Sequence, residues 1–193
     1  MKRILIALIL VLSLVICLPS CKPEVNIEEN PDFATYNEML NKDFDNYTID
    51  ISITSANGDT VNEKYIVTTS DGMRSVTYRI ERINQFTVNG DEITIPDGYV
   101  SVEEGTYDSN DSLAAKFNVP KFNFSYTCLS DSDVTIGNTY STAVTSLEKF
   151  MGLTISATNG SVKLNFDDGA AKSIAVSYVT ELENTVIITY TFN

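Results

Sequence analysis

The chain has 193 residues, 26 of them acidic and 13 basic, and it contains no histidine. Without histidine it lacks the commonest general base, the Ser-His and Cys-His nucleophile pairs and the usual ligand of catalytic zinc. Its net charge of −13 argues against nucleic acid and against anionic lipid surfaces as partners, because both require clustered lysine or arginine.

The first residues have the three-part pattern of a secretory signal. Lys2 and Arg3 give a positive start, and residues 4–18 form an apolar run that only Ser13 interrupts. A helix of this length spans roughly 22 Å, which is short of the roughly 30 Å hydrocarbon core of a bilayer. The sequence therefore predicts an exported protein whose signal peptide comprises residues 1–20.

The end of this leader, Leu18-Pro19-Ser20-Cys21, resembles the bacterial lipobox Leu-(Ala/Ser/Thr)-(Gly/Ala/Ser)-Cys, with Pro19 as the unusual position. The resemblance implies that Cys21 becomes the first mature residue and carries a diacylglyceryl group, often with a further acyl chain such as palmitate. Several chains, at about 0.8 kcal/mol per buried methylene, anchor a protein durably. We expect a protein held on the extracytoplasmic side of a bacterial membrane through lipidated Cys21. Ordinary secretion, with Cys21 as a bystander, is the alternative.

The mature chain is predicted to have a tether and one domain. Residues 21–30 comprise the lipidated cysteine and a short polar segment that contains a proline, which is typical of a tether. Residues 31–193 are long enough for a single domain with its own core. The leader holds two of the 13 basic residues and no acidic one, so 11 basic residues face 26 acidic ones in the mature chain.

This domain is predicted to begin with a short helix and to continue as strands. Asn30 and Pro31 suit a helix N-cap and first helical position, and apolar residues recur at helical spacing up to Phe44. From Tyr47 onward the apolar residues alternate with polar ones, the pattern of half-buried strands.

Turns between the strands are marked by asparagine or aspartate followed by glycine. Six of the nine glycines occur in such pairs, which favour the type I′ turns of β-hairpins. A second helix is predicted over residues 142–151, ended by Gly152. The predicted strands cover residues 47–54, 60–69, 74–83, 86–88, 93–95, 99–102, 121–129, 153–158, 161–166, 172–179 and 185–192.

These elements predict an α+β fold that is mostly antiparallel β: a curved sheet or incomplete barrel of about eight to ten strands, with two short helices against its apolar face. A helix is about 10 Å wide and strands lie about 4.8 Å apart, so two helices cover about four strands. The remaining apolar face is hidden if the sheet curls on itself, or it leaves a cavity for an apolar ligand.

In the order of its elements, the domain resembles the LolA/LppX-like envelope proteins: an N-terminal helix, an antiparallel meander, a mid-chain helical insertion and closing hairpins. The resemblance implies an incomplete barrel that wraps helices around a hydrophobic cavity and carries lipid or acyl chains. It depends on no motif residues, so it assigns no ligand-binding position.

The sequence predicts no catalytic residue, metal site or cofactor. Asp108, Asn110 and Ser112 have the opening spacing of a calcium loop, but glycine at the sixth position and glutamate at the twelfth are missing. Glu103 and Glu104 are adjacent on a strand and therefore point to opposite faces. Cys128 is in phase with the apolar residues before it, which predicts a buried structural thiol.

We therefore expect a non-enzymatic, membrane-anchored lipoprotein that binds a lipid or other apolar small molecule in a half-barrel cavity, and no nucleic acid. The alternative is an envelope protein-interaction or structural module with a filled core, whose protein partners the sequence does not identify.

Overall fold

The computed structural model describes residues 31–56, 58–83, 100–127, 139–157 and 160–193. Its helices are α1 (Pro31–Leu40) and α2 (Leu147–Met151), with single 3-10 turns at Ala114–Lys116 and Phe124–Tyr126. Its strands are β1 (Tyr47–Thr54), β2 (Thr60–Ser70), β3 (Met73–Ile83), β4 (Val100–Tyr107), β5 (Thr139–Val144), β6 (Gly160–Asp167), β7 (Ala170–Val179) and β8 (Thr185–Phe192).

The eight described strands form one antiparallel sheet in the order β4-β3-β2-β1-β8-β7-β6-β5. The chain runs outward from β1 to β4, crosses to the far side and returns from β5 to β8, which pairs with β1. β4 and β5 lie at opposite edges, so the sheet is not closed into a barrel. The prediction of a mostly antiparallel α+β chain with two short helices is confirmed for the described residues.

Two hairpin turns have the geometry that their sequences predict. Asp71 and Gly72 join β2 to β3 with φ values of 54° and 74°, and Asp168 and Gly169 join β6 to β7 with 48° and 71°. Two successive positive φ angles are the signature of a type I′ turn. The predicted hairpin over residues 86–95 lies outside the described residues.

The predicted helix over residues 142–151 is wrong in its first half. Thr142 belongs to β5, where it pairs with Val162 of β6. The helix begins only at Leu147 and ends at Gly152, whose φ is 62°. The apolar residues of this stretch fit a period of two as well as a helical period, and pairing with β6 selects the strand.

Two predicted strands are also wrong where the structure describes them. Residues 121–127 contain irregular chain, the 3-10 turn and a single antiparallel bridge from Thr127 to Val144, and residues 153–157 form no strand. The aromatic residues Phe122 and Phe124 still alternate inward, with exposed fractions of 1% and 0%. Asn123 stabilises the turn, because its side-chain oxygen accepts the backbone N–H of Ser125.

The register places one set of alternating residues on the same side of the sheet, which we call the inner face. It carries Tyr47 and Ile49 of β1, Tyr65 of β2, Tyr190 of β8 and Ile174 of β7. The opposite side, the outer face, carries mostly polar side chains. Its charged residues include Asp50, Lys64, Arg79 and Glu81.

The buried core is concentrated on the inner face of β5–β8. α1 contacts β7 and the turn at Phe124–Tyr126, and α2 contacts the same turn. Tyr36 of α1 packs 4.9 Å from Tyr140 and 5.9 Å from Phe124, measured between ring centroids. The segment between β4 and β5 therefore supplies part of the cover over this half of the sheet.

Candidate functional site

A cleft of about 390 Å³ lies between the inner face and residues 116–120 of the segment that crosses from β4 to β5. We call it the inner-face cleft. Its sheet wall comes from β1, β2 and β8 and consists of Ile49, Ile51, Glu63, Tyr65, Ile188 and Tyr190. Its other wall contains Phe117, Val119, Pro120 and Leu153. Most of the lining is therefore apolar or aromatic.

Hydrogen bonds fix the crossing segment over the sheet. The Phe117 carbonyl accepts the hydroxyl of Tyr47 at 2.5 Å and a guanidinium N–H of Arg74 at 2.9 Å. Arg74 also donates to the side-chain oxygen of Asn118 at 2.5 Å. Because Tyr47 is on β1 and Arg74 is on β3, these bonds hold the segment at a set position above β1–β3.

Four aromatic rings form a continuous cluster beside the cleft. Phe117 lies 4.7 Å from Tyr65 and 5.9 Å from Tyr107, and Tyr107 stacks on Tyr78 at 4.8 Å between centroids. Tyr78 lies over Gly105, the residue it faces across β3 and β4. A β-carbon at Gly105 would lie only 2.5 Å from the Tyr78 hydroxyl, so glycine is needed for this approach.

Glu63 is a carboxylate among apolar residues of the inner face. In the register it faces Ile51 on β1 and Ile80 on β3. The Tyr65 hydroxyl donates a hydrogen bond to its Oε2 at 2.7 Å. On the edge strand β4, the Glu103 carboxylate forms an ion pair with the guanidinium of Arg82 on β3, at 3.3 Å.

Burial keeps the tyrosine hydroxyls of the cleft protonated. It raises the pKa of Tyr65 above its usual value of 10.0, and the hydrogen bond to Glu63 adds to this effect. Burial is also the largest cause of the raised pKa of Tyr190, followed by the nearby Tyr47 and Tyr178 hydroxyls. Both groups are therefore neutral hydrogen-bond donors at physiological pH.

Two further depressions, of about 350 and 480 Å³, lie on the outer face. The first is lined by Asp50, Asn62, Lys64, Arg79 and Glu81 among others, and the second by Lys64, Ile66, Thr77, Arg79 and Glu104 among others. Apolar residues such as Ile187 and Ile66 contribute to their lining, but charged side chains form a larger share of it than of the lining of the inner-face cleft.

The residues singled out in the sequence are placed as follows. Cys21 and Cys128 lie outside the described residues. The side chains of Asp108 and Asp111 accept the backbone N–H groups of Asn110 and Leu113, which is the hydrogen bonding of local turns. Among the described residues, no three acidic or cysteine side chains come together to hold a metal ion. No helix in the described ranges is long and apolar enough to cross a bilayer.

Sequence reasoning missed Glu63, although a signal for it is present. Val61, Glu63, Tyr65 and Val67 share one parity of β2, so a carboxylate stands in an otherwise apolar row. The importance of this row follows only from the crossing segment above it, which lies more than forty residues farther along the chain.

No protein-family model matches the chain, and no curated protein is similar to it in sequence. Among solved structures, a redesigned β-barrel, mFAP1, bound to DFHBI superposes with a TM-score of 0.22 and 10% identity, covering 80% of this chain and 96% of that chain. A de novo designed fluorescence-activating β-barrel gives a TM-score of 0.21 and 9% identity, with coverages of 76% and 91%.

Proposed function

We propose that this protein is a non-enzymatic extracytoplasmic lipoprotein that is anchored to a bacterial membrane through Cys21 and binds a lipid or other apolar ligand in the inner-face cleft. The cleft is the observation that carries this proposal. Its volume of about 390 Å³ falls within the range of roughly 300–1,000 Å³ that is typical of small-molecule sites. Such sites are mostly apolar with a few polar groups, as this lining is.

Incompletely covered apolar residues also support the proposal. Ile51 and Ile188 face each other on β1 and β8, and both are only half-buried although they belong to the inner face. A ligand that covered them would be favoured by roughly 25 cal/mol for each Å² of apolar surface removed from water. In this proposal the sheet curves as an incomplete barrel, with the helices and the ligand sharing its apolar face.

The order of the described elements is compatible with the proposal. One helix precedes a four-strand meander, a segment with two short helical turns follows, and four paired strands, with α2 after the first of them, close the described chain. This is the order on which the resemblance to the LolA/LppX-like envelope proteins depends, and that resemblance implies a cavity that carries lipid or acyl chains.

Native mass spectrometry tests the ligand. Residues 21–193 with Cys21→Ser contain every described element and can be prepared from a bacterial host without detergent. We expect an added mass that is lost on denaturation and that extracts into organic solvent. A clean mass for the protein alone, with no uptake from phospholipid vesicles, would contradict an apolar ligand site.

The anchor is tested separately in the full chain. The protein with Cys21 intact should partition with membranes, and the Cys21→Ala variant should move to the soluble fraction. A variant that stayed wholly with the membranes would contradict attachment through this thiol.

A second candidate function, an envelope protein-interaction or structural module, is favoured by the outer face. The two depressions there are lined by charged and hydroxyl side chains on β1–β4 and β8, which suits contacts with another protein. A clean mass in the first experiment would favour this function.

A further inference from the structure

Glu63 is the acidic group that lines the inner-face cleft. Its neighbours across the strands, Ile51 and Ile80, are aliphatic, and both are partly shielded from water. Glu63 is itself half-buried, and these aliphatic neighbours offer it no polar partner. The Tyr65 hydroxyl supplies one hydrogen bond to Oε2, and that bond leaves the negative charge in place.

The nearby basic side chains have other partners or lie apart. Arg82 pairs with Glu103, and Arg74 binds the crossing segment at Phe117 and Asn118. Lys116 is on the opposite wall and is exposed, and within the described ranges it forms no ion pair with Glu63. On the sheet wall of the cleft the described residues therefore place one carboxylate, Glu63, with no cation paired to it, while the exposed Lys116 stands on the opposite wall.

Aromatic rings stand next to this charge. Tyr65 and Tyr190 both line the cleft, and Phe117 extends the aromatic wall at 4.7 Å from Tyr65. The faces of such rings attract cations, and quaternary ammonium groups are recognised in this way by proteins. A carboxylate beside aromatic rings is thus suited to a positively charged head, while the isoleucines suit an apolar chain.

We propose that the inner-face cleft selects amphiphiles with a cationic ammonium head, which Glu63 and Tyr65 bind while the apolar chain lies along Ile49, Ile51 and Ile188. This inference rests on the proposed function and adds the chemical class of the ligand. At the sheet wall a fatty acid is disfavoured, because its carboxylate would face Glu63; the exposed Lys116 is on the opposite wall.

Two probes with the same dodecyl chain test the inference: dodecyltrimethylammonium and dodecanoate, each below its micellar concentration. Titration calorimetry on residues 21–193 with Cys21→Ser should show about a tenfold preference for the ammonium probe, the size expected of a partly desolvated cation–π and carboxylate contact. Glu63→Gln keeps the shape of the side chain and should remove this preference. Glu81→Gln makes the same charge change on the outer face and should leave the preference intact.

Each outcome has a distinct meaning. Equal binding of both probes, unchanged by Glu63→Gln, would overturn the head selection and leave an apolar ligand site in place. If Glu63→Gln and Glu81→Gln lost the preference for the ammonium probe equally, head selection by Glu63 would also be overturned. The preference would then come from the overall charge of the protein. Binding of neither probe would contradict the proposed function itself. If Glu63→Gln does not unfold cooperatively in urea, Tyr65→Leu tests the same contact and should weaken only the ammonium probe.

Discussion

In the C-terminal half of the sheet most inner-face side chains are sealed from water, whereas in the N-terminal half Tyr47, Ile49, Val67 and Val76 are buried and most of the others are only half-covered. Leu164 and Ile174 of β6 and β7 are 0% exposed. Tyr65 and Ile51 of β2 and β1, by contrast, are of intermediate exposure. Both halves consist of four antiparallel strands in a meander, so the strand pairing does not account for the difference.

The difference comes from what covers each half. α1, α2 and the turn at Phe124–Tyr126 pack together above the C-terminal half and bring aromatic rings down to it. Among the described residues, the cover over the N-terminal half is the crossing segment, which is fixed by hydrogen bonds at Phe117 and leaves the cleft. The C-terminal half therefore holds more of the buried core, and the cleft lies along β1, β2 and β8, where the cover is thinner.

The largest expected effect is a loss of stability. The same substitution, isoleucine to alanine, is compared at one position in each half of the sheet. Ile174→Ala in the sealed half should lower the free energy of unfolding by about 3–4 kcal/mol, because the cavity cannot collapse. Ile51→Ala in the cleft should cost only about 1–2 kcal/mol, since its side chain already borders open space. Urea unfolding measures both. Equal losses would mean that the halves are packed alike and would contradict the comparison.

The second prediction concerns the aromatic cluster of the N-terminal half. Gly105→Ala would place a β-carbon 2.5 Å from the Tyr78 hydroxyl and force that ring away from Tyr107. We expect a loss of about 1–3 kcal/mol, as for other overpacked sites. Thr106→Ala is the control, since Thr106 is exposed on the outer face and should change stability by less than about 0.5 kcal/mol. An unchanged Gly105→Ala protein would contradict the position of Tyr78.

Most strands of the two halves of the sheet could be predicted from the sequence, but the cleft could not. Alternating residues and Asp-Gly turns predict most strands of both meanders, because those signals are local. The pairing of β1 with β8 joins chain ends that lie more than a hundred residues apart, and no local pattern encodes it. The stretch before Leu147 has a pattern that fits both helix and strand, and only β6 decides between them.

The candidate site is also set by distant contacts. The parity of β2 already places Glu63 in an apolar row, which is a local signal. The cleft itself depends on where residues 116–120 cross the sheet, and this follows from the bonds that Tyr47 and Arg74 make to Phe117. Such bonds join segments 43 and 70 residues apart, so they are not readable from spacing.

The third prediction is a pH dependence at the junction of the two halves. Burial raises the pKa of Tyr190 above 10.0, its usual value, so the folded state keeps this proton when the unfolded state has lost it. Stability is therefore complete below pH 10 and falls as the pH rises above it, by at most about 1.4 kcal/mol per pH unit for this group. Urea unfolding between pH 9 and 11 should show a shallower decline in Tyr190→Phe than in the wild type. Parallel curves would contradict burial of the hydroxyl.

The smallest effect on stability is expected for Tyr47→Phe. This substitution weakens the attachment of the crossing segment above the cleft and leaves the packing of the core unchanged. The ring of Tyr47 is buried and would stay in place, while the hydroxyl that bonds the Phe117 carbonyl would be lost. Arg74 still donates to that carbonyl, so the free energy of unfolding should fall by only about 1 kcal/mol. Because the crossing segment then has one bond fewer above the cleft, dodecyltrimethylammonium should dissociate faster.

Tyr178→Phe is the matched control, since the Tyr178 hydroxyl makes no hydrogen bond within the described part of the chain. The probe should dissociate from this variant at the wild-type rate. If both variants release the probe at the wild-type rate, the segment at Phe117 does not control access to the cleft. The different cover of the two halves would then have no effect on ligand release.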